Sequence, residues 1–239
     1  MNFQKVTKII LAGTLALACA VTMFGCKKGK DGDKAQISDD GSLPNQYSNQ
    51  RYYFQQGSRT DWDYKLKGEG DYYYNRDTGL VLELVPVKTT GEKDEKGFDI
   101  PVNPVEFIDG VEYCVYHYNN EDNIIGMTTS RKDIVNFLLD ENSKLYFNNK
   151  FYLESPRETF RQVGEPESDT AQYSKLQFTR VAYTFTRDGE DWQGVYVVVA
   201  SKTEFFVVTF EAKADLYETY EPAYKETIGD FRKEGWEES

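Results

Sequence analysis

The last third of the chain reads QFTRVAYTFTR (177–187), QGVYVVVAS (193–201) and EFFVVTFEA (204–212). These segments are joined by Asp188-Gly189-Glu190-Asp191 and by Ser201-Lys202-Thr203. Each is rich in β-branched and aromatic residues and bounded by turn formers, the pattern of antiparallel strands in series. Phe206, Val208, Phe210 and Ala212 alternate onto one face, and Val181, Tyr183 and Phe185 do the same on the earlier strand. A meander of this kind buries its apolar face only under a helix or a second sheet. The residues that follow supply one: Tyr217, Tyr220, Tyr224, Ile228 and Phe231 recur at helical spacing, with Asp215 as the N-cap candidate. Pro222 lies inside that pattern and is expected to kink or divide the helix.

Toward the N-terminus the same reading continues. Ser130 and Asp133 form a capping-box-like pair ahead of Ile134, Phe137, Leu138 and Leu145, so a helix is expected over Arg131–Phe147. Val111–Tyr118 reads as a strand. Asp71–Tyr74 and Leu80–Val87 flank Asn75-Arg76-Asp77-Thr78-Gly79, which predicts a hairpin. Tyr52-Tyr53-Phe54 and Trp62–Lys67 are strand material, separated by a polar Gly57-Ser58 corner. Residues 88–105 are charged and carry Gly91, Pro101 and Pro104, so they are expected as a loop insertion. From Ser155-Pro156 to Val163 a helical turn and an extended segment both remain open. Helices following antiparallel strands give an α+β class: an antiparallel sheet flanked by helices in an α/β/α sandwich.

The block Val195–Ala200, Phe205–Ala212, Tyr217–Tyr224 and Ile228-Gly229-Asp230-Phe231 resembles the C-terminal signature of the PsbP-like and DcrB-like superfamily. Those domains end in two strands and a closing helix that finishes on an acidic or serine residue followed by Phe. The resemblance is best over Gln177–Arg232 and rests on packing motifs, so it bears on fold. It implies an exported binding or assembly factor without catalytic machinery. Metal binding in the photosynthetic branch uses histidines that this chain, with His117 alone, does not supply.

Residues 1–25 read as a signal peptide. Lys5 and Lys8 precede the apolar run Ile9–Phe24, and Gly25-Cys26 then opens onto Lys27, Lys28 and Lys30. The run is short for a membrane span. The junction resembles a bacterial lipobox, with Met23 and Phe24 departing from the usual residues and Cys19 as a weaker alternative. Lipidation of Cys26 would make membrane lipid a partner and place the protein on the extracytoplasmic face of the cell membrane. Residues 26–49, with Gly29, Gly32, Gly41 and little to bury, are expected as a flexible tether, and residues 50–235 as the single folded domain.

Without residues 1–25 the chain has 26 basic and 40 acidic side chains, net −14. That balance repels phosphate backbones and argues against nucleic acid as a partner. With Cys19 in the leader and Cys26 lipidated, Cys114 alone is left, so no internal disulfide forms. Cys114 and His117 lie three apart on a strand, which turns them to opposite faces and away from a catalytic dyad. Gly68-Glu69-Gly70 lacks the rest of a dinucleotide fingerprint, and no phosphate-loop, paired-histidine zinc or serine-elbow motif occurs. Neither catalysis nor a cofactor is expected.

Carboxylates spaced i, i+2 at Asp61/Asp63, Glu69/Asp71 and Asp188/Glu190/Asp191 are weak candidates for a hard cation such as calcium, and a solvated acidic surface is the favoured reading. Trp62, Trp192 and Tyr72-Tyr73-Tyr74 are candidates for stacking on sugars, with packing the favoured use. The expectation is a non-catalytic interaction or binding subunit with a protein partner at the cell envelope. A receptor for calcium or a glycan fragment is the alternative.

Overall fold

Seven antiparallel strands form the central sheet, and the meander of the last third is its core. The computed structural model describes residues 42–68, 73–119, 130–172, 174–200 and 204–234, all within one compact unit. The leader, Cys26, Gly68-Glu69-Gly70 beyond its first residue, Asp71, Tyr72 and the turn 201–203 lie outside the described residues. The strands are β1 (Asn45–Asn49), β2 (Phe54–Ser58), β3 (Trp62–Lys67), β4 (Leu80–Pro86), β5 (Thr89–Lys93), β6 (Asp99–Pro101) and β7 (Val111–Asn119). Helices α1 (Arg131–Leu139) and α2 (Phe147–Lys150) follow, then β8 (Glu158–Thr170), β9 (Gln177–Arg187), β10 (Glu190–Ala200) and β11 (Glu204–Lys213). Helix α3 (Tyr217–Gly229) and β12 (Arg232–Lys233) close the described chain. The large sheet has the order β3-β4-β7-β11-β10-β9-β8, and a small sheet has the order β1-β2-β12.

Both faces of the large sheet are covered, which explains the near-continuous apolar runs of β10 and β11. On one face Val195, Val197, Phe206, Val208 and Phe210 pack under Tyr224 and Ile228 of α3, under Phe54 of β2 and under Phe231, which links α3 to β12. On the other, Val181, Tyr183, Phe185, Tyr196, Val198 and Val207 pack under Ile134, Val135 and Leu138 of α1 and under Phe147 and Phe151. The protein therefore has the expected α+β architecture, an antiparallel sheet with helices on both faces. The β9–β10 connection is a tight turn on Asp188 and Gly189, both at positive φ, between the paired residues Arg187 and Glu190.

Several local expectations change. The helix expected to Phe147 stops at Leu139, because Asp140 turns extended and its carboxylate accepts the Asn142 N–H, an Asx turn that competes with the helix. Phe137, placed on the buried face by its spacing, is exposed. Helix α3 runs through Pro222 as one element and starts after Leu216, with no side-chain cap from Asp215. The open stretch before Val163 is extended, with β8 starting at Glu158. Residues 88–105 carry the short hairpin β5–β6 rather than loop alone. Of the expected hairpin, Asp71 and Tyr72 lie outside the described residues; an antiparallel bridge joins Asn75 to Leu80 across the turn, and β4 pairs with β3 and β7.

The tether expectation fails at its end. Leu43 is buried, and β1 pairs with β2 from Asn45↔Ser58 to Asn49↔Phe54. Leu43 donates its N–H to the buried Asp230 carboxylate, which also accepts from Gln46 and from Arg232. Gly57 is then a strand residue and not a corner. A Cβ there would overlap the Asp230 carboxylate and the Gln46 amide.

Candidate functional site

The small sheet and the large sheet meet edge to edge at β1 and β3, and an open cleft of about 440 Å³ lies at that seam. Pro44, Asn45 and Gln46 form one wall, and Thr60, Trp62, Asp63 and Tyr64 the other, with Pro101 of β6 at the rim. Tyr64 ties the two edges together by donating its hydroxyl to the carbonyls of Asn45 and Gln56, at 3.1 and 2.9 Å. Burial first, then the nearby Asp230 and Asp63 charges, push its phenol well above the usual range. The Asn45 amide crosses the seam to donate to the carbonyls of Arg59 and Trp62. Gln46 donates both of its amide hydrogens, to the Leu43 carbonyl and to Asp230.

A second cluster closes the apolar face at the far end of β7. His117 bonds at both ring nitrogens, Nε2 with Glu204 Oε2 and Nδ1 with the Tyr73 hydroxyl, each at 2.7 Å. Glu204 only accepts, so Nε2 carries the hydrogen, and a neutral ring accepts at Nδ1 from Tyr73. The ring is stacked on Tyr52 at 4.1 Å and packed against Phe206. Lys233 reaches the other Glu204 oxygen at 3.2 Å. Burial works to raise the Glu204 carboxyl, but His117 and Lys233 outweigh it and hold the group below its usual range.

The third cluster is ionic and lies under the opposite face. Glu211, fully buried on β11, is bonded by Arg157, by Tyr183 and by Arg187 at 2.8 Å. Arg187 also bonds Glu112 at 3.0 Å and lies over the Trp192 ring. Desolvation, followed by the charge of Glu211, pushes the Glu112 carboxyl up to about 8 against the pull of Arg187. Burial opposes ionisation of Glu211 as well, yet Arg157 and Arg187 win and lower its pKa. Burial therefore favours the protonated form of Glu112 beside an ionised Glu211. This carboxyl pair is a structural device: Arg157 clamps the Phe151 carbonyl at 2.6 Å and lies over Phe147, pinning the α2–β8 connection to the sheet.

The candidates named from sequence are dispersed. Asp188 occupies the β9–β10 turn, Glu190 pairs with Lys213 at 2.6 Å, and Asp191 accepts the Ala214 N–H at its backbone carbonyl. Among the described residues no three His, Cys, Asp or Glu side chains gather as a metal would require. Asp61 turns to Arg59 while Asp63 lines the cleft, so that pair is split. Trp62 and Trp192 are buried and offer no stacking face. Tyr74 is exposed, whereas Tyr73 is engaged with His117. Cys114 is buried opposite His117, and burial pushes its thiol well up. The cleft itself escaped sequence reading, because half of its wall lies in the segment read as tether.

Among the described residues no helix is long and apolar enough to cross a membrane. No family model and no curated protein matches the chain. Solved structures do resemble it. Cyanobacterial PsbP (CyanoP) from Synechocystis shares 10% identity over 86% of this chain and 99% of its own, with a TM-score of 0.48. A Bacteroides thetaiotaomicron protein shares 12% identity over 80% of this chain, which spans about half of that protein (49%), at 0.42. LpqN, a Mycobacterium tuberculosis protein involved in cell envelope biogenesis, shares 7% identity over 75% of this chain and 82% of its own, at 0.36.

Proposed function

We propose that this chain is a lipid-anchored, extracytoplasmic subunit of the cell envelope that binds a partner without catalysing a reaction. The observation that carries the non-catalytic part is the state of His117, its sole imidazole. Both ring nitrogens are bonded and the ring is enclosed by Tyr52, Tyr73 and Phe206, so proton transfer to a bound substrate has no free atom to start from. Cys114 is likewise sealed in the core, and the Glu112–Glu211 pair is consumed by two arginines. The anchoring part rests on the leader and on Gly25-Cys26.

Radiolabelled palmitate fed to the producing bacterium is expected to enter the wild-type protein and not a Cys26→Ser variant, and cross-linking should retrieve one stoichiometric membrane partner. An unlabelled wild-type protein, or an intact leader on a cytoplasmic species, overturns the anchoring. The β1–β3 cleft favours a second reading, a small-ligand receptor for calcium or a glycan fragment.

A further inference from the structure

The cleft between β1 and β3 has an uneven hydrogen-bonding inventory. Both amide hydrogens of Asn45 go to backbone carbonyls, and both of Gln46 go to Leu43 and Asp230, so each side chain has its carbonyl oxygen left over. Pro44 and Pro101 contribute no N–H to the wall and rim. The Tyr64 hydroxyl donates inward, to Asn45 and Gln56. Asp63 spends one oxygen on the following Tyr64 N–H and makes no ion pair among the described residues. The neighbouring cations are committed elsewhere: Arg59 to Asp61 and Glu226, Lys65 to Glu83, and Lys67 over the face of the Tyr64 ring.

Donors are not absent from the wall, which also carries the Thr60 hydroxyl and the Trp62 indole N–H, but a site with an excess of accepting oxygens and one uncompensated carboxylate disfavours anions through like charge. It suits a group that brings several donors and a positive charge. A primary ammonium has three donors and no acceptor. The net charge of the chain adds a favourable long-range field for such a ligand. We propose that the β1–β3 cleft binds a small ligand through a protonated primary amine, with Asp63 as its counter-ion and the Asn45 and Gln46 carbonyl oxygens as further acceptors. This rests on the receptor reading of the cleft above, and puts an amine in place of calcium or a neutral glycan fragment as its ligand.

The test uses the 15N-labelled full chain in detergent micelles, titrated separately with cadaverine, glucosamine, N-acetylglucosamine, acetate and calcium. Cadaverine and glucosamine should shift the amides of Asn45, Gln46, Thr60 and Asp63 at millimolar concentrations, and acetate and N-acetylglucosamine should not. Asp63→Asn should weaken cadaverine binding about tenfold, the loss expected for one hydrogen bond to a charged group. Added salt should weaken binding to the wild type, a readout that does not depend on the variant folding. Silence of both amines into the tens of millimolar overturns the proposal. So does an equal response to N-acetylglucosamine, or a response to calcium alone. Palmitate incorporation is scored independently, so failure of the cleft leaves the anchoring untouched, and the reverse holds.

Discussion

Replacing Arg157 by Met tests whether the buried ionic cluster holds the α2–β8 connection to the sheet. Met keeps an apolar stem of similar reach over Phe147 but deletes the bonds to Glu211 and to the Phe151 carbonyl. Removing one partner of a buried pair costs about 3–5 kcal/mol, chiefly because the surviving charge is left uncompensated. Arg187 still bonds Glu211, so the lower end applies, about 3 kcal/mol. For a chain of this size that is a fall of roughly 6–12 °C in melting temperature. Urea titration and thermal melts followed by circular dichroism measure it. The double variant Arg157→Met/Glu211→Gln removes the stranded carboxylate as well, and should lose at least about 1 kcal/mol less than the sum of the single losses. A single-variant loss below about 1 kcal/mol, or strict additivity, would refute the account, because it would mean that the cluster is not energetically buried.

Two further outcomes follow from the same geometry. In the folded protein Glu112 keeps its proton up to about 8, whereas the unfolded chain releases it near 4.5. Across that window the unfolded state binds fewer protons, so this group's stabilisation is full below the lower value and declines as pH rises to the upper one. Glu112→Gln should flatten that part of the stability–pH curve measured by urea unfolding, and an unchanged slope would assign the proton elsewhere. Gly57→Ala pushes a methyl group into the Asp230 carboxylate that holds Leu43 and Gln46, and overpacking of this kind costs about 2 kcal/mol. Hydrogen exchange at the Leu43 amide should accelerate more than at β10 amides, and wild-type protection there would contradict the contact.

The cleft lies at a seam that secondary-structure reading does not register. Asp63 was visible as one of a pair of carboxylates, but the pairing was misleading: Asp61 precedes the strand and folds back on Arg59, so only Asp63 reaches the cleft. Asn45 and Gln46 looked like tether because nothing in their neighbourhood is apolar apart from Leu43 and Tyr47. Their strand exists because β2 offers an open edge and because Asp230, more than 180 residues away, accepts from Leu43 and Gln46. The His117 network was equally hidden. The opposite faces of Cys114 and His117 follow from strand period, but the partners Tyr73, Glu204 and Lys233 come from three other segments.

By itself the sequence determined the meander of β9, β10 and β11, the existence of the closing helix, the α+β class and the separation of Cys114 from His117. Those features are encoded in periods of two or of about 3.6 residues, and each can be read within a dozen positions. Tertiary structure alone decided that Pro222 is carried inside α3 and that residues 43–49 join the fold. It also brought together Glu112, Arg157, Arg187 and Glu211. The reason is that a local period reports which face is buried, whereas a buried charge or an unpaired strand edge is satisfied by whatever the fold carries to it, and that partner has no fixed spacing along the chain.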